Sequence, residues 1–384
     1  MAAASYSTFL ACAASALACW LLQPIARRWR LVDRPGGRKT HHGEVPLVGG
    51  IAILLGLVAS VAASPALWAE DSAYLLAACT LLTVVGTLDD RFELRPRTRL
   101  LTQSLAVLIG AAAFSLDHLT LGNIFAVGSV ELSGLAAAGM IVLLTAGIVN
   151  AMNMVDGADG IAGVFALIAL GSLALLELGA GRVDFAPIAL AGCAAVAGFL
   201  VFNLPVQWNR RVRVFMGDAG STLLGFLMAW VALGITQESG AARPVTTLWL
   251  AALPIYDLLW AIGRRIARGR SPFEADRGHL HHLLLDGGVG VRATFAVLAV
   301  LAVVLAVCGI TLEALGVPEW ASFALFILCG IGTFKFIAPL PARGWLVTGA
   351  WRREQPGVLM AQTEVERDRS DGILHRSRAG QGHD

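Results

Sequence analysis

Acidic, amide and imidazole side chains recur in this sequence at the ends of apolar runs, where they gain nothing from their surroundings unless a cation, proton or ligand offsets them. Asp89 and Asp90 close one such run in GTLDDRFELRPRTR. They read either as a solvated helix end pairing with Arg91 and Arg95, or as carboxylates that orient or deprotonate a phosphate nucleophile. Asn150, Asn153, Asp156 and Asp159 follow at every third position, a spacing that in a helix makes a slowly drifting stripe able to face one cavity. Gly157 and Gly160 remove side chains beside these carboxylates and let backbone approach a bulky anion. An ordinary turn rich in Asn, Asp and Gly is the plainer alternative.

Asp218 stands in VFMGDAGS at the start of another apolar run. It suits an N-cap, its carboxylate accepting backbone N–H bonds at the positive helix end. It equally suits Mg²⁺, which takes one or two protein oxygens and completes its octahedron with water and substrate phosphate. His279, His281 and His282 form a dense cluster, but no Cys and no second His or Glu at a tetrahedral-site spacing stands nearby, which argues against zinc. With Arg270 and Arg277 alongside, the imidazoles fit recognition of a pyrophosphate or a sugar, or merely a basic surface loop. Asp257 and Arg264 are seven residues apart and share a helix face; they read as an internal charge offset or a substrate contact, with no catalytic role assigned. The stretch from Asp33 to Gly50, with Arg34, Arg38, Lys39, His41 and His42, feeds the second apolar run and serves at least as a topogenic signal.

The elements that must position these residues are membrane helices. The 384 residues are 57% hydrophobic and 15% charged, with a mean hydropathy of +0.70, outside the balance of a soluble domain. A net charge of +2 and only three Tyr exclude the basic, aromatic surface that single-stranded nucleic acid needs. Cysteines 12, 19, 79, 193, 308 and 329 lie inside apolar runs without paired spacing, so neither a disulfide framework nor a thiolate metal site is expected. Runs long enough to cross the hydrocarbon fall near 5–25, 47–66, 72–88, 98–115, 135–152, 160–179, 185–204, 219–236, 246–263, 293–313 and 318–339, about eleven helices. The first run meets its positive charges only at Arg27, Arg28 and Arg30, the reverse of a cleavable signal peptide.

Lys and Arg concentrate in alternate loops: residues 26–46, the turn from Arg91 to Arg99, residues 206–217, and residues 264–292. The opposite loops hold only Arg182 and Arg243. Positive loops stay in the cytoplasm, so an odd number of spans places the N-terminus outside and the C-terminus inside, and gathers every polar cluster above on the cytoplasmic face. The expected fold is all-α, a polytopic transmembrane catalytic domain over residues 1–340, followed by a cytoplasmic tail, 341–384, that reads as largely disordered. A transporter, the rival from another class, predicts charges at the bilayer midplane and a pseudo-symmetric repeat; neither is evident.

Taken in order, the D-D pair, N-x-x-N-x-x-D-G-x-D-G, G-D-x-G-S and H-x-H-H resemble the polyprenyl-phosphate N-acetylhexosamine-1-phosphate transferases from about Asp33 to His282. The loops HHGEVPLVGG and SPFEADRGHLHH are similar to those of bacterial undecaprenyl-phosphate N-acetylglucosamine-1-phosphate transferases. They are less similar to the branch that transfers phospho-MurNAc-pentapeptide. The resemblance implies transfer of a sugar 1-phosphate from a UDP-sugar to undecaprenyl phosphate in the inner membrane, releasing UMP and opening a cell-envelope polysaccharide pathway. It implies Mg²⁺, with Mn²⁺ as a substitute, bound by Asp218 and Asn153. Asp89 and Asp90 would handle the lipid phosphate, and Asp156 and Asp159 complete the acidic site. His279, His281, His282, Arg270, Arg277 and Asn150 would bind substrate. Undecaprenyl phosphate, the UDP-sugar and bilayer lipid are the expected partners, with room for a homodimer.

Overall fold

A computed structural model describes residues 2–34, 43–64, 67, 70–114, 118–157, 160–204, 214–271 and 278–338. Asp159, Arg277 and the tail 341–384 lie outside the described residues. The helices are α1 (Ala2–Arg28), α2 (Gly49–Ala63), α3 (Glu70–Phe92), α4 (Pro96–Ala111), α5 (Gly134–Val155), α6 (Ile161–Gly179), α7 (Ala186–Asn203), α8 (Gly217–Leu233), α9 (Pro244–Leu250), α10 (Ala252–Ala267), α11 (Leu280–Asp286), α12 (Val291–Ala314) and α13 (Glu319–Ile337). Two short antiparallel pairs accompany them, β1 (Val32–Asp33) with β2 (Val45–Pro46) and β3 (His118–Gly122) with β4 (Val130–Ser133). Proline in the first turn of α4, α7 and α9 costs no hydrogen bond there and presets the helical φ.

Each apolar run marked in the sequence falls on a helix, but the helices are not equal. Among the described residues eight are long and apolar enough to cross a membrane, and nine if the bent pair α9 and α10 counts as one span. The run 246–263, expected as one continuous helix, is broken at Ala251 with an 83° bend. Both halves are held by side chains that satisfy their own polar atoms in the process: Trp249 Nε1 donates to Ser322 Oγ at 3.0 Å and Tyr256 Oη to the Phe326 carbonyl at 2.6 Å. Pro254 lies one turn past the break, where its missing N–H is harmless.

The span containing α8 is the axis of the bundle: 78% of an 18-residue apolar stretch within Gly217–Ser239 is buried, against 22% and 28% of the corresponding stretches in α12 and α13. It continues past Leu233 as a π-helix, Gly234–Ser239, and packs on α3 and α5. Small residues allow this closeness. A Cβ on Gly86 of α3 would lie 2.6 Å from the Ala219 nitrogen, and one on Gly225 of α8 would lie 2.6 Å from the Val149 Cα of α5. The outward faces carry Leu143, Leu175, Val300 and Leu328, a surface suited to lipid. At the ends, buried acids stand in for caps. Glu177 of α6, fully buried, accepts the backbone N–H groups of Phe185 and Ala186 at the start of α7.

Candidate active site

The same device builds the acidic site. Asp90, in the last turn of α3, turns to the start of α8, where its Oδ1 accepts the Asp218 N–H at 2.8 Å and its Oδ2 the Ala219 N–H at 3.3 Å. Two of the unmatched donors of that helix end are thereby satisfied by a carboxylate placed at its positive pole. Gly217 makes room: its φ is +71°, and a Cβ there would collide with the Asp90 carboxylate. Asp218 itself is not the N-cap, an expectation the structure corrects. Met216 holds that position, without a side-chain cap, because Asp90 supplies the acceptor from a neighbouring helix and leaves the Asp218 carboxylate available.

Asp89 turns the other way. Its side chain is 3% exposed, and its Oδ1 accepts the Leu94 N–H at 2.7 Å and Arg99 Nη2 at 2.9 Å, while Oδ2 meets Arg99 Nε. Arg99 returns to Asp89 because Pro96 starts α4 only a few residues after α3 ends. Its Nη1 lies 3.4 Å from Asp218 Oδ2, so one guanidinium spans two carboxylates. From α5, Asn153 Nδ2 donates to Asp218 Oδ1 at 2.8 Å and to Ser221 Oγ at 3.1 Å. One turn earlier Asn150 Nδ2 donates to Gln103 Oε1 at 2.8 Å. Asp89, Arg99, Gln103, Asn150, Asn153 and Asp218 line a cavity of about 30 Å³, enough for a water or a bare ion.

Asp89, Asp90 and Asp218 thus gather about the start of α8 without meeting at one point, with one guanidinium against two of them, an excess of negative charge that a divalent cation would offset. The residues fit Mg²⁺ rather than a cage metal. Among the described residues no group of three or more His, Cys, Asp or Glu converges on a point, whereas Mg²⁺ needs only one or two carboxylates and keeps its waters. Asp218, 30% exposed, is the open carboxylate. Asn153 offers it an amide nitrogen; turning the amide over would set its oxygen beside Asp218 as a second ligand.

The histidine loop forms a second cluster. His279 Nδ1 lies 2.8 Å from Asp257 Oδ2, and Asp257 Oδ1 accepts the Leu280 N–H at 2.8 Å. Arg264 Nη1 donates to the Gly278 carbonyl at 2.7 Å. The shared face of Asp257 and Arg264 therefore serves this loop. His281 lies against the turn after α5: a Cβ on Gly157 would sit 2.6 Å from its Nε2. Its ring is 4.1 Å from that of His282. Asp156 ends α5 at its C-cap beside this contact. Arg270 is exposed just beyond α10. At the other end of the turn, buried Asn203 accepts the Gly160 N–H at 2.7 Å and donates to the Val214 carbonyl at 2.9 Å, fixing where α6 begins.

The sequence-predicted residues therefore meet in two groups joined by α5: Asp89, Asp90, Asn150, Asn153 and Asp218 in one, the histidines with Asp156 at the other. Arg99 and Gln103 have no place in the site expected from the sequence, where Asp257 stands only as a charge offset or a substrate contact. Arg99 and Gln103 sit one helical turn apart at the head of an apolar helix; that spacing is the signal in the sequence, where Arg99 counts only as topogenic charge.

Comparison with known proteins decides the family. A relative from Yersinia pestis, undecaprenyl-phosphate alpha-N-acetylglucosaminyl 1-phosphate transferase, is 35% identical over 337 residues, covering 87% of this chain and 88% of its own. Relatives of the same name from Salmonella typhi and Pasteurella multocida are 37% and 36% identical, over 80% and 86% of this chain and 84% and 92% of theirs. The family model described as Glycosyl transferase family 4 matches residues 72–236. The chain belongs to glycosyl transferase family 4. Within this family 4 member the matched stretch runs from α3 into the π-helical end of the α8 span and contains the whole acidic group; it stops short of Asp257 and the histidines. The protein is a glycosyl-1-phosphate transferase and a multi-pass membrane protein.

Proposed function

We propose that this chain transfers N-acetylglucosamine 1-phosphate from UDP-N-acetylglucosamine to undecaprenyl phosphate, releasing UMP, at the cytoplasmic face of the plasma membrane. The names of the relatives support the acceptor and the sugar. The carrying observation is that the acidic cavity and an apolar groove share one seam. Gln103 of α4 and Asn150 of α5 line the cavity. Val107, Leu108 and Ala111 of α4 and Ala138, Ile141 and Val142 of α5 line a groove of about 280 Å³ further along the same two helices. Asn150 to Ile141 is about 13 Å of helix rise, so a prenyl chain in the groove brings its phosphate toward the cavity. This is the shape that a lipid with a charged head demands.

The chemical problem is to bring a phosphate anion against a diphosphate that repels it. Arg99 offers a planar fork to phosphate oxygens, and Asp89 holds that fork in place. Asp90 fixes the first turn of α8 and so fixes Asp218. Asp218, with Asn153, would hold Mg²⁺, which when bound neutralises the diphosphate and the leaving UMP. A phosphate monoester is largely ionised near neutral pH, its second pKa being about 6, so no carboxylate need take its proton. An acceptor oxygen then bonds to the phosphorus that carries the sugar, as the bond from that phosphorus to the UMP oxygen breaks. Direct attack is the route this supports; UMP released in a single turnover before any acceptor is added would overturn it. The histidines and Arg270 would hold the diphosphate and the sugar.

The test is to incubate purified protein and MgCl₂ with undecaprenyl phosphate and sugar-labelled UDP-N-acetylglucosamine. Label should enter the lipid phase with one UMP released for each sugar transferred. Absence of lipid label overturns the reading, and preference for UDP-MurNAc-pentapeptide replaces the donor.

A further inference from the structure

Asp257 is buried, 1% exposed, in α10, and lies outside the residues matched by the family model. A carboxylate in that position is costly unless both oxygens are engaged. Both are: one meets His279 Nδ1 and the other accepts the Leu280 N–H, each at 2.8 Å. The first contact fixes the rotation of the imidazole and favours a proton on Nδ1, which makes Nε2 the second, chemically distinct atom of the ring. The second contact holds the first residue of α11, the helix that carries His281 and His282. The His279 and His281 rings lie nearly parallel, 9° between planes with centroids 6.1 Å apart, so the orientation of one ring sets the bed for the next. Arg264, two turns along the same helix, binds the Gly278 carbonyl and restrains the loop from its other side.

We propose that Asp257 is a positioning residue for donor binding: it orients the His279 ring, through Nδ1, for recognition of the nucleoside diphosphate. This rests on the reading of the histidines as donor-binding groups, and its test is chosen to fail separately from the transferase reading. The probe is UDP, whose dissociation constant is measured for full-length protein in detergent with MgCl₂, without turnover. Asp257→Asn keeps an oxygen for Leu280 but turns an amide N–H toward Nδ1, reversing the tautomer; it should weaken UDP binding about tenfold, the scale of one well-placed hydrogen bond. His279→Gln should weaken it similarly, and the Asp257→Asn/His279→Gln double variant should be no weaker than His279→Gln alone. A purely structural role predicts multiplying effects instead, because a loosened loop would also displace His281 and His282. Imidazole ¹⁵N spectra should show Nδ1 protonated in the wild type and not in Asp257→Asn. Wild-type affinity in Asp257→Asn, multiplying effects in the double variant, or a wild type that does not bind UDP would each overturn the proposal. A wild type that binds UDP through this clamp yet releases no UMP from UDP-N-acetylglucosamine when undecaprenyl phosphate is supplied would overturn the transferase reading alone.

Discussion

At the scale of single residues, the acidic site is a set of anions whose principal partners differ, with Arg99 shared between two of them. Asp89 depends on Arg99, Asp90 on the backbone of α8, and Asp218 on Asn153. The consequences of substitution differ accordingly. Arg99→Met leaves the buried Asp89 carboxylate with the Leu94 N–H but without its cation, so both stability and chemistry should suffer. UMP release should fall by roughly 10²-fold, the usual cost of removing one preorganised charged contact, and the unfolding temperature in detergent should drop. Arg99→Lys should recover much of the stability and less of the rate, since an ammonium cannot span two carboxylates as a planar fork does. Asp218→Ala tests the metal assignment. It should fold normally, because its backbone N–H keeps the Asp90 bond, yet lose at least about 10²-fold in turnover with no recovery on raising MgCl₂. Full Mg²⁺-dependent turnover in that variant would remove the assignment.

At the scale of elements, the site depends on how closely α3 and α8 approach. Gly86 faces the Ala219 backbone with no space for a Cβ. Gly86→Val must push the two helices apart, at a cost of about 1–3 kcal/mol typical of overpacking, and it withdraws Asp90 from the N–H groups it caps. Thermal unfolding should record the first effect and UMP release the second; a variant with unchanged melting and unchanged activity would show that the approach is not needed. The bend between α9 and α10 has a matching role. It redirects the chain after Leu250 so that α10 presents Asp257 and Arg264 to the histidine loop.

At the scale of the molecule, the most buried span supplies Asp218, and α12 and α13, among the least buried, face outward with apolar side chains. The proposed orientation, with the histidine loop in the cytoplasm, rests on the distribution of Lys and Arg. Ser271→Cys, an exposed position beside that loop, should react with a membrane-impermeant maleimide in inverted vesicles and not in right-side-out ones, above the background of the native cysteines. Labelling only in right-side-out vesicles would reverse the topology.

Hydropathy and motif spacing by themselves determined the helical membrane class, the run boundaries to within a few residues, and most of the acidic and histidine groups. They could do so because burial in lipid imposes length and composition on each helix separately, and because a polar side chain is conspicuous against an apolar run. Which oxygen meets which donor depended on neighbours distant in sequence. Asp90 reaches Asp218 across 128 positions, Asn153 reaches it across 65, and Asp257 reaches His279 across 22. Composition also could not reveal that 246–263 breaks, since both halves are apolar and only the packing of Trp249 on Ser322 and Tyr256 on Phe326 distinguishes a bend from a straight helix. The clusters were thus written in the sequence as residue types. Their division into an Asp218–Asn153 pair, an arginine between two carboxylates and an anchored histidine loop was decided by tertiary contacts, because hydrogen bonds act over about 3 Å and only the folded bundle brings those atoms that close.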